Sequence, residues 1–341
     1  MRIVSGIQPT GSLHLGNYLG ALRYWVSLQV EADCFFMLAD LHAITIPQNP
    51  AELRDRIVDT AALMLAIGID PERSVFFLQS QVPQHAELAW VLNCFTTMGE
   101  LRRMVQFKDK SARGGEAKAT ASLFTYPVLQ AADILLYQAD RVPIGDDQRQ
   151  HLELTRTLAL RLNARYPGTF KIPEPVIASE GSRIMDLHEP KRKMSKSEKS
   201  AKGVIRLTDP PEEIRSKIVA ATTDSGREVR SSPEKPGINN LITIYATVTG
   251  VSPEETESTF SGTTYARFKA VLAEKLIELL RPIQQRYGQL KQEQGYIERV
   301  LARSSERAAR TAEQTLKAVY ERVGILGPRR HSSEVYNEVG N

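Results

Sequence analysis

At 341 residues, with 42% hydrophobic and 25% charged side chains, the chain is long enough for a large core with a smaller companion domain, and its net charge of +4 permits a nucleic-acid partner without requiring one. No run of about eighteen apolar residues occurs, which excludes a membrane-spanning helix. Two cysteines, Cys34 and Cys94, stand alone without CxxC spacing, which argues against a zinc site or a disulfide framework; both read as core residues.

The first element, "RIVSGI" (2–7), is strand-like and has no charged leader or apolar h-region ahead of it, so a cytoplasmic location is expected. Next come "CFFMLAD" (34–40), "SVFFLQS" (74–80) and, after a helix-rich stretch, "VPIGDD" (142–147). Between them, "PAELRDRIVDTAALMLAIGI" (50–69) opens on proline, carries early acids and repeats its apolar residues on a helical period. Strands separated by helices predict an α/β domain, a Rossmann-like doubly wound parallel sheet, over residues 1–190.

Beyond Gly203 strand signals thin out. "DPPEEIRSKIVAA" (209–221) has acids in its first turn, and "YARFKAVLAEKLIELLRPIQQRY" (265–287) carries Phe268, Leu272, Leu276 and Leu279 at helical spacing. "SSERAARTAEQTLKAVYERVG" (304–324) predicts a helix with serine caps that stops at Gly324. A smaller all-helical C-terminal domain is expected over 204–295, with C-terminal helices at 296–326 packing back on the first domain and a flexible polar tail at 327–341.

Two stretches carry chemistry. "SGIQPTGSLHLGNYLGALRYWV" (5–26) follows the first strand and turns into a helix, an arrangement that draws anions to unpaired N–H groups. It is neither a P-loop, since Ser12-Leu13 stands where Lys-Ser/Thr is required, nor GxGxxG; alone, it also fits a glycine-rich turn without ligand. The second, "KRKMSKSEKS" (191–200), places Lys191, Arg192, Lys193, Lys196 and Lys199 in ten residues, and alone fits a solvated basic patch.

Together they are more specific. "LHLGNY" (13–18) resembles the HIGH signature of class I aminoacyl-tRNA synthetases, with Asn17 replacing the second histidine, and "KMSKS" (193–197) matches that class's second signature. "DLHAIT" (40–45), "GELRRMVQFKDKSA" (99–112), "TYPVLQAADILLY" (125–137), "GDDQRQHLELTR" (145–156), "RIMDL" (183–187) and "KPGINNLITIY" (235–245) all resemble segments of the bacterial tryptophanyl-tRNA synthetase family. Gln130, where many members have methionine, evokes the sister tyrosyl enzymes, and Asp146 stands where glutamate is usual.

The resemblance implies a two-step reaction: tryptophan and ATP give tryptophanyl-adenylate and pyrophosphate, and the aminoacyl group passes to the terminal adenosine of tRNA(Trp). It implies Lys193 and Lys196 on the leaving pyrophosphate, in a KMSKS loop at 191–203, with Ser195 and Ser197 as hydrogen-bond donors. His14, Asn17 and Lys110 complete the catalytic set. ATP would also meet Gln8, Thr10, Gly11, Gly16, Gly145, Asp147, Gln148, Ile184 and Met194. Tryptophan would be read by Asp133, accepting the indole N–H, within a pocket of Tyr126, Gln130, His42, Gln8, Val142, Ile144 and Gln148. Mg2+ would ride on the ATP phosphates rather than in a protein cage. The resemblance further implies a homodimer, with "ELAWVLNCFTTMGEL" (87–101) as interface or core, and phosphate contacts to tRNA from Arg and Lys along 286–330.

Overall fold

Five short apolar runs pair into one parallel sheet in this computed structural model, which describes residues 1–105, 107, 120–145, 148–177, 183–195, 202–293 and 295–327. Strands β1 (Arg2–Ile7), β2 (Asp33–Leu38), β3 (Val75–Leu78), β4 (Arg141–Ile144) and β5 (Glu174–Ile177) lie in the order β3-β2-β1-β4-β5. The register runs Arg2 against Asp33 through Ile7 against Leu38, and Ile3 against Arg141 on the other side of β1. Strand order reverses beside β1, which makes the carboxyl ends of β1 and β4 the place where open α/β sheets bind ligands.

Alternate residues of the strands face opposite sides, and both sides are buried, which is why the runs are apolar throughout. Ile3, Cys34, Phe36, Leu38 and Phe76 belong to one core, and Val4, Phe35, Met37, Val75 and Phe77 to the other. The first core also takes in a helix that begins at Leu15–Asn17, passes through a π-helical stretch at Tyr18–Leu22 and continues as Arg23–Glu31 (together α1). After β2 come the short α2 (Asp40–Ala43) and α3 (Pro50–Ala66), the latter capped by the Asn49 side chain with Pro50 in its first turn. The second core is covered by α4 (Gln84–Asn93), α5 (Met98–Arg102), α6 (Ala121–Leu135) and α7 (Arg149–Arg165).

The fifth strand is absent from the sequence reading. Its "EPVI" follows Pro173 and contains Pro175, residues that argue against a central strand; β5 pairs with β4 alone, at the sheet edge, where a missing donor is tolerated.

Helices α8 (Pro211–Ala220), α9 (Pro236–Thr249), α10 (Pro253–Thr259), α11 (Tyr265–Gln292) and α12 (Tyr296–Val323) follow. Phe268, Leu272, Leu276, Leu280 and Ile283 form the buried stripe of α11; Leu279, expected on it, is only partly buried. These side chains share the first core with the sheet, so among the described residues the helical part and the sheet are joined by one apolar interior. α12 begins eight residues before the expected serine caps. Gly295, at φ 72°, precedes its first turn, while Ser304 and Ser305 are buried inside it. Ser305 Oγ accepts the Leu78 N–H at 3.3 Å, and Ala308, Ala312 and Val319 join the second core, so α12 lies along β3. A serine run signals a cap only when its hydroxyls have no better partner.

Cys34 is buried as expected, but Cys94 is exposed: it caps the end of α4, past the last turn whose side chains reach the core. Among the described residues no helix is long and apolar enough to cross a membrane.

Candidate active site

A cavity of about 290 Å³ opens at the carboxyl ends of β1, β2 and β4. β1 contributes Val4 to Ile7 and the following Gln8, β2 and its exit contribute Met37 and Ala39, and β4 contributes Val142 to Ile144. Tyr126, Gln130, Asp133 and Ile134 come from α6; the first three are spaced four and three apart, which puts them on one helix face. His42 on α2 and Gln148 close the lining. All eight residues assigned to tryptophan from the sequence therefore surround one cavity.

Asp133 is the buried charge of this cavity, 2% exposed. Its Oδ2 lies 2.7 Å from His42 Nε2, and its Oδ1 lies 2.6 Å from His85 Nδ1 and accepts from Gln79 Nε2 at 2.7 Å. Burial by itself would push the carboxyl pKa up, but the charges and hydrogen bonds of His42 and His85 outweigh it and bring it down to about 2. Asp133 is thus a carboxylate at neutral pH, an acceptor without a proton to give. His85 Nε2 continues the chain to the Tyr137 hydroxyl at 2.8 Å, and burial keeps that phenol protonated, well above its ordinary pKa.

A second chain of polar groups borders the opening. Tyr126 Oη lies 2.8 Å from His151 Nε2, His151 Nδ1 lies 3.1 Å from Gln148 Oε1, and Gln130 Nε2 donates to the same oxygen at 3.3 Å. His85, Gln79, Tyr137 and His151 all escaped the sequence reading. A signal existed for two of them: Tyr137 follows Asp133 by one helical turn, and His151 follows Gln148 by three residues in "GDDQRQH". His85 and Gln79 sit in a segment without a motif.

The two signatures meet at one place. His14 and Asn17 form a reciprocal capping box, the Asn17 N–H donating to His14 Nδ1 at 3.3 Å and the His14 N–H to Asn17 Oδ1 at 3.2 Å. The Leu13–Leu15 backbone is bonded to the segment after the lysine cluster: Leu15 N–H donates to Ile205 at 2.8 Å and Leu207 N–H to Leu13 at 3.0 Å. A Cβ on Gly16 would stand 3.1 Å from the His14 ring and 3.4 Å from Met194, so glycine allows this approach.

"RIMDL" pairs with "KRKM" through Met194 N–H to Ile184 at 3.0 Å and Asp186 N–H to Arg192 at 2.8 Å, while Asn240 of the "GINNL" run clamps both backbone groups of Met185 at 2.9 Å. Ile184 and Met194 are 1% exposed, their side chains turned into the core. Lys193 and Ser195 are exposed, as are Gln8 and Gly145, and Thr10 and Gly11 are half-buried, Gly11 at φ 65°. Lys110, Asp146, Asp147, Lys196 and Ser197 lie outside the described residues.

A sequence model of the family described as "tRNA synthetases class I (W and Y)" matches residues 1–281. The chain is 51% identical over 332 residues to tryptophan-tRNA ligase 2 of Streptomyces avermitilis, covering 97% of this chain and 98% of the relative. Against the tryptophan-tRNA ligase of Wolinella succinogenes it is 52% identical over 325 residues, covering 95% and 99%. This chain belongs to the tryptophan-tRNA ligases. Among solved structures it resembles the tryptophanyl-tRNA synthetase of Mycoplasma pneumoniae, with a TM-score of 0.87 at 38% identity, covering 96% of this chain and 98% of that one. It also resembles the Campylobacter jejuni enzyme complexed with ADP and tryptophan, with a TM-score of 0.82 at 33% identity, covering 95% and 100%.

In this tryptophan-tRNA ligase the 87–101 segment is split between core and surface. Leu88, Ala89, Val91, Leu92 and Leu101 are buried in the second core, while Trp90 is 72% and Met98 60% exposed. A further cavity of about 490 Å³ lies between the end of α3 and the junction of α11 with α12, with Arg286, Arg299, Arg303 and Arg307 in its lining. Arg303 pairs there with Glu72 at 3.0 Å and Arg307 donates to the Pro71 carbonyl at 2.6 Å.

Proposed function

We propose that the cavity around Asp133 holds the indole of tryptophan, with Asp133 accepting the indole N–H, while ATP lies across the His14, Asn17 and Lys193 surface. The observation that carries this reading is the buried, ionised acceptor at the floor of a cavity bordered by apolar Val142 and Ile144. A site built to accept one N–H rejects analogues that lack it by roughly 10⁴–10⁵, because its acceptor would be left desolvated and unpaired.

Activation needs the tryptophan carboxylate to reach the α-phosphorus in line while negative charge gathers on the departing pyrophosphate. Positioning and cations supply most of such catalysis. Gln8, at the exit of β1 and in the lining of the cavity, is suited to hold the two reactants at their junction. Lys193, Lys196 and Lys110 neutralise the phosphates, aided by Ser195 and Ser197, and the backbone of Thr10, Gly11, Gly16, Gly145, Ile184 and Met194, with Asp147 and Gln148, frames the nucleotide. Mg2+ enters on the ATP phosphates, which offer it hard oxygen ligands; among the described residues no group of three His, Cys, Asp or Glu side chains is placed to hold a metal.

The proposed partners extend beyond the small substrates. tRNA(Trp) receives the aminoacyl group, and Arg286, Arg299, Arg303 and Arg307 are offered as contacts to its phosphates. A homodimer formed through exposed Trp90 and Met98 would cover an apolar surface that a monomer leaves in water. The enzyme would work in the cytoplasm, where tRNA is charged.

Amino-acid-dependent ATP–pyrophosphate exchange tests the reading. Exchange with tryptophan, absent with tyrosine and phenylalanine and lost in Asp133→Ala and Lys196→Ala, is the expected result; exchange driven by tyrosine would overturn the pocket assignment.

A further inference from the structure

We infer that His85 is a positioning residue for amino-acid selection, holding Asp133 in the one orientation that leaves an acceptor direction for the substrate. The inference rests on the reading of Asp133 as the indole acceptor and adds a residue outside the cavity to it.

A carboxylate offers roughly four lone-pair directions. His42 takes one on Oδ2, and His85 and Gln79 take both on Oδ1. The remaining direction lies on Oδ2, the oxygen shared with His42, and both Asp133 and His42 line the cavity. His85, Gln79 and Tyr137 do not line it, so whatever they contribute passes through Asp133.

His85 has the stronger hold because its ring is itself fixed at both ends. Nδ1 lies 2.6 Å from Asp133 Oδ1 and Nε2 lies 2.8 Å from the Tyr137 hydroxyl, which can donate to or accept from it, so both ring nitrogens are bonded. The ring is fully buried and packs near Phe77 and Tyr137, with centroids at 5.9 and 5.5 Å. The groups facing Asp133 are therefore His42 from α2, Gln79 from the turn after β3, His85 from α4 and, through His85, Tyr137 at the end of its own helix. Three chain segments converge on one carboxylate. A mere counter-charge would not need the Tyr137 contact, which fixes the direction of the ring rather than its charge.

The test is pyrophosphate exchange with tryptophan and with an isosteric analogue in which sulfur replaces the ring N–H, run on the full-length protein and on His85→Ala, His85→Asn and Tyr137→Phe. Losing one donor to a buried carboxylate should raise the tryptophan KM and lower the preference over the analogue by about tenfold or more, with kcat and the ATP KM little changed. His85→Asn, whose amide can stand in for Nδ1–H, should recover much of that preference, and Tyr137→Phe should fall between wild type and His85→Ala. Unchanged preference and KM in His85→Ala, or preference lost equally in His85→Asn, would overturn the inference. If His85→Ala does not fold, the order of the other two variants decides. Asp133→Ala separates the two levels: preference retained there, with no acceptor left on the side chain, would sink the acceptor reading itself, whatever His85 does.

Discussion

Around Asp133 the polar atoms are buried and already bonded to one another, whereas Lys193 and Ser195 are exposed, on a segment whose backbone is bonded to Ile184 and Asp186 beneath it. The two ends of the site meet different physical demands. Discrimination between amino acids needs an acceptor whose position does not adjust to the wrong ligand, so it is built from packed helices and a low-dielectric pocket. Charge neutralisation on a departing pyrophosphate needs cations that grip in the transition state and then release, and long solvated lysines suit that.

The sharpest way to break this contrast is Asp133→Asn, which leaves the shape and removes the charged acceptor. Tryptophan-dependent exchange should fall by about 10³-fold or more in kcat/KM while the ATP KM holds; a comparable rise in both KM values would mean the pocket is not independent of the nucleotide surface. Next in size is Met194→Ala. The side chain is buried beneath the exposed lysine segment, so its loss should cost about 2–5 kcal/mol in chemical denaturation and lower kcat more than it raises the tryptophan KM.

Lys193→Ala addresses the wet end directly: about a 10²-fold loss of kcat with tryptophan binding unaltered in calorimetry. Acid titration probes the dry end. Because the folded Asp133 pKa is lowered to about 2 from 3.8, its ionisation stabilises the fold fully above the unfolded value, and that contribution disappears as pH falls from about 4 toward 2. Urea midpoints measured across that window should drop steeply in the wild type and less so in Asp133→Asn. The smallest effect is expected from Arg299→Gln, which should leave pyrophosphate exchange intact, raise the tRNA KM a few-fold and flatten its dependence on salt by roughly 0.7–0.9 in log–log slope.

Much of the site was legible in the sequence through motifs that resemble a known family, and several of these motifs fall on elements whose period is strong. Tyr126, Gln130 and Asp133 recur at helical spacing within one motif, and the β1-to-α1 turn announces itself through its glycines. What stayed hidden obeyed local rules only after folding. Ser304 and Ser305 look like caps until β3 comes alongside; "EPVI" looks like a loop until β4 offers it an edge; Cys94 looks like core until α4 turns it outward.

The sequence by itself determined the alternating α/β order, the helical second half and the two signatures, since each depends on composition and spacing within a few turns of chain; the residues that line the cavity around Asp133 came from the family resemblance those motifs carry. Only the tertiary structure decided how Asp133 is held. His42, Gln79 and His85 lie 91, 54 and 48 residues before it, and no local pattern can say that three such donors will converge. Burial makes that convergence necessary, because a carboxylate withdrawn from water must find its hydrogen bonds wherever the fold can bring them.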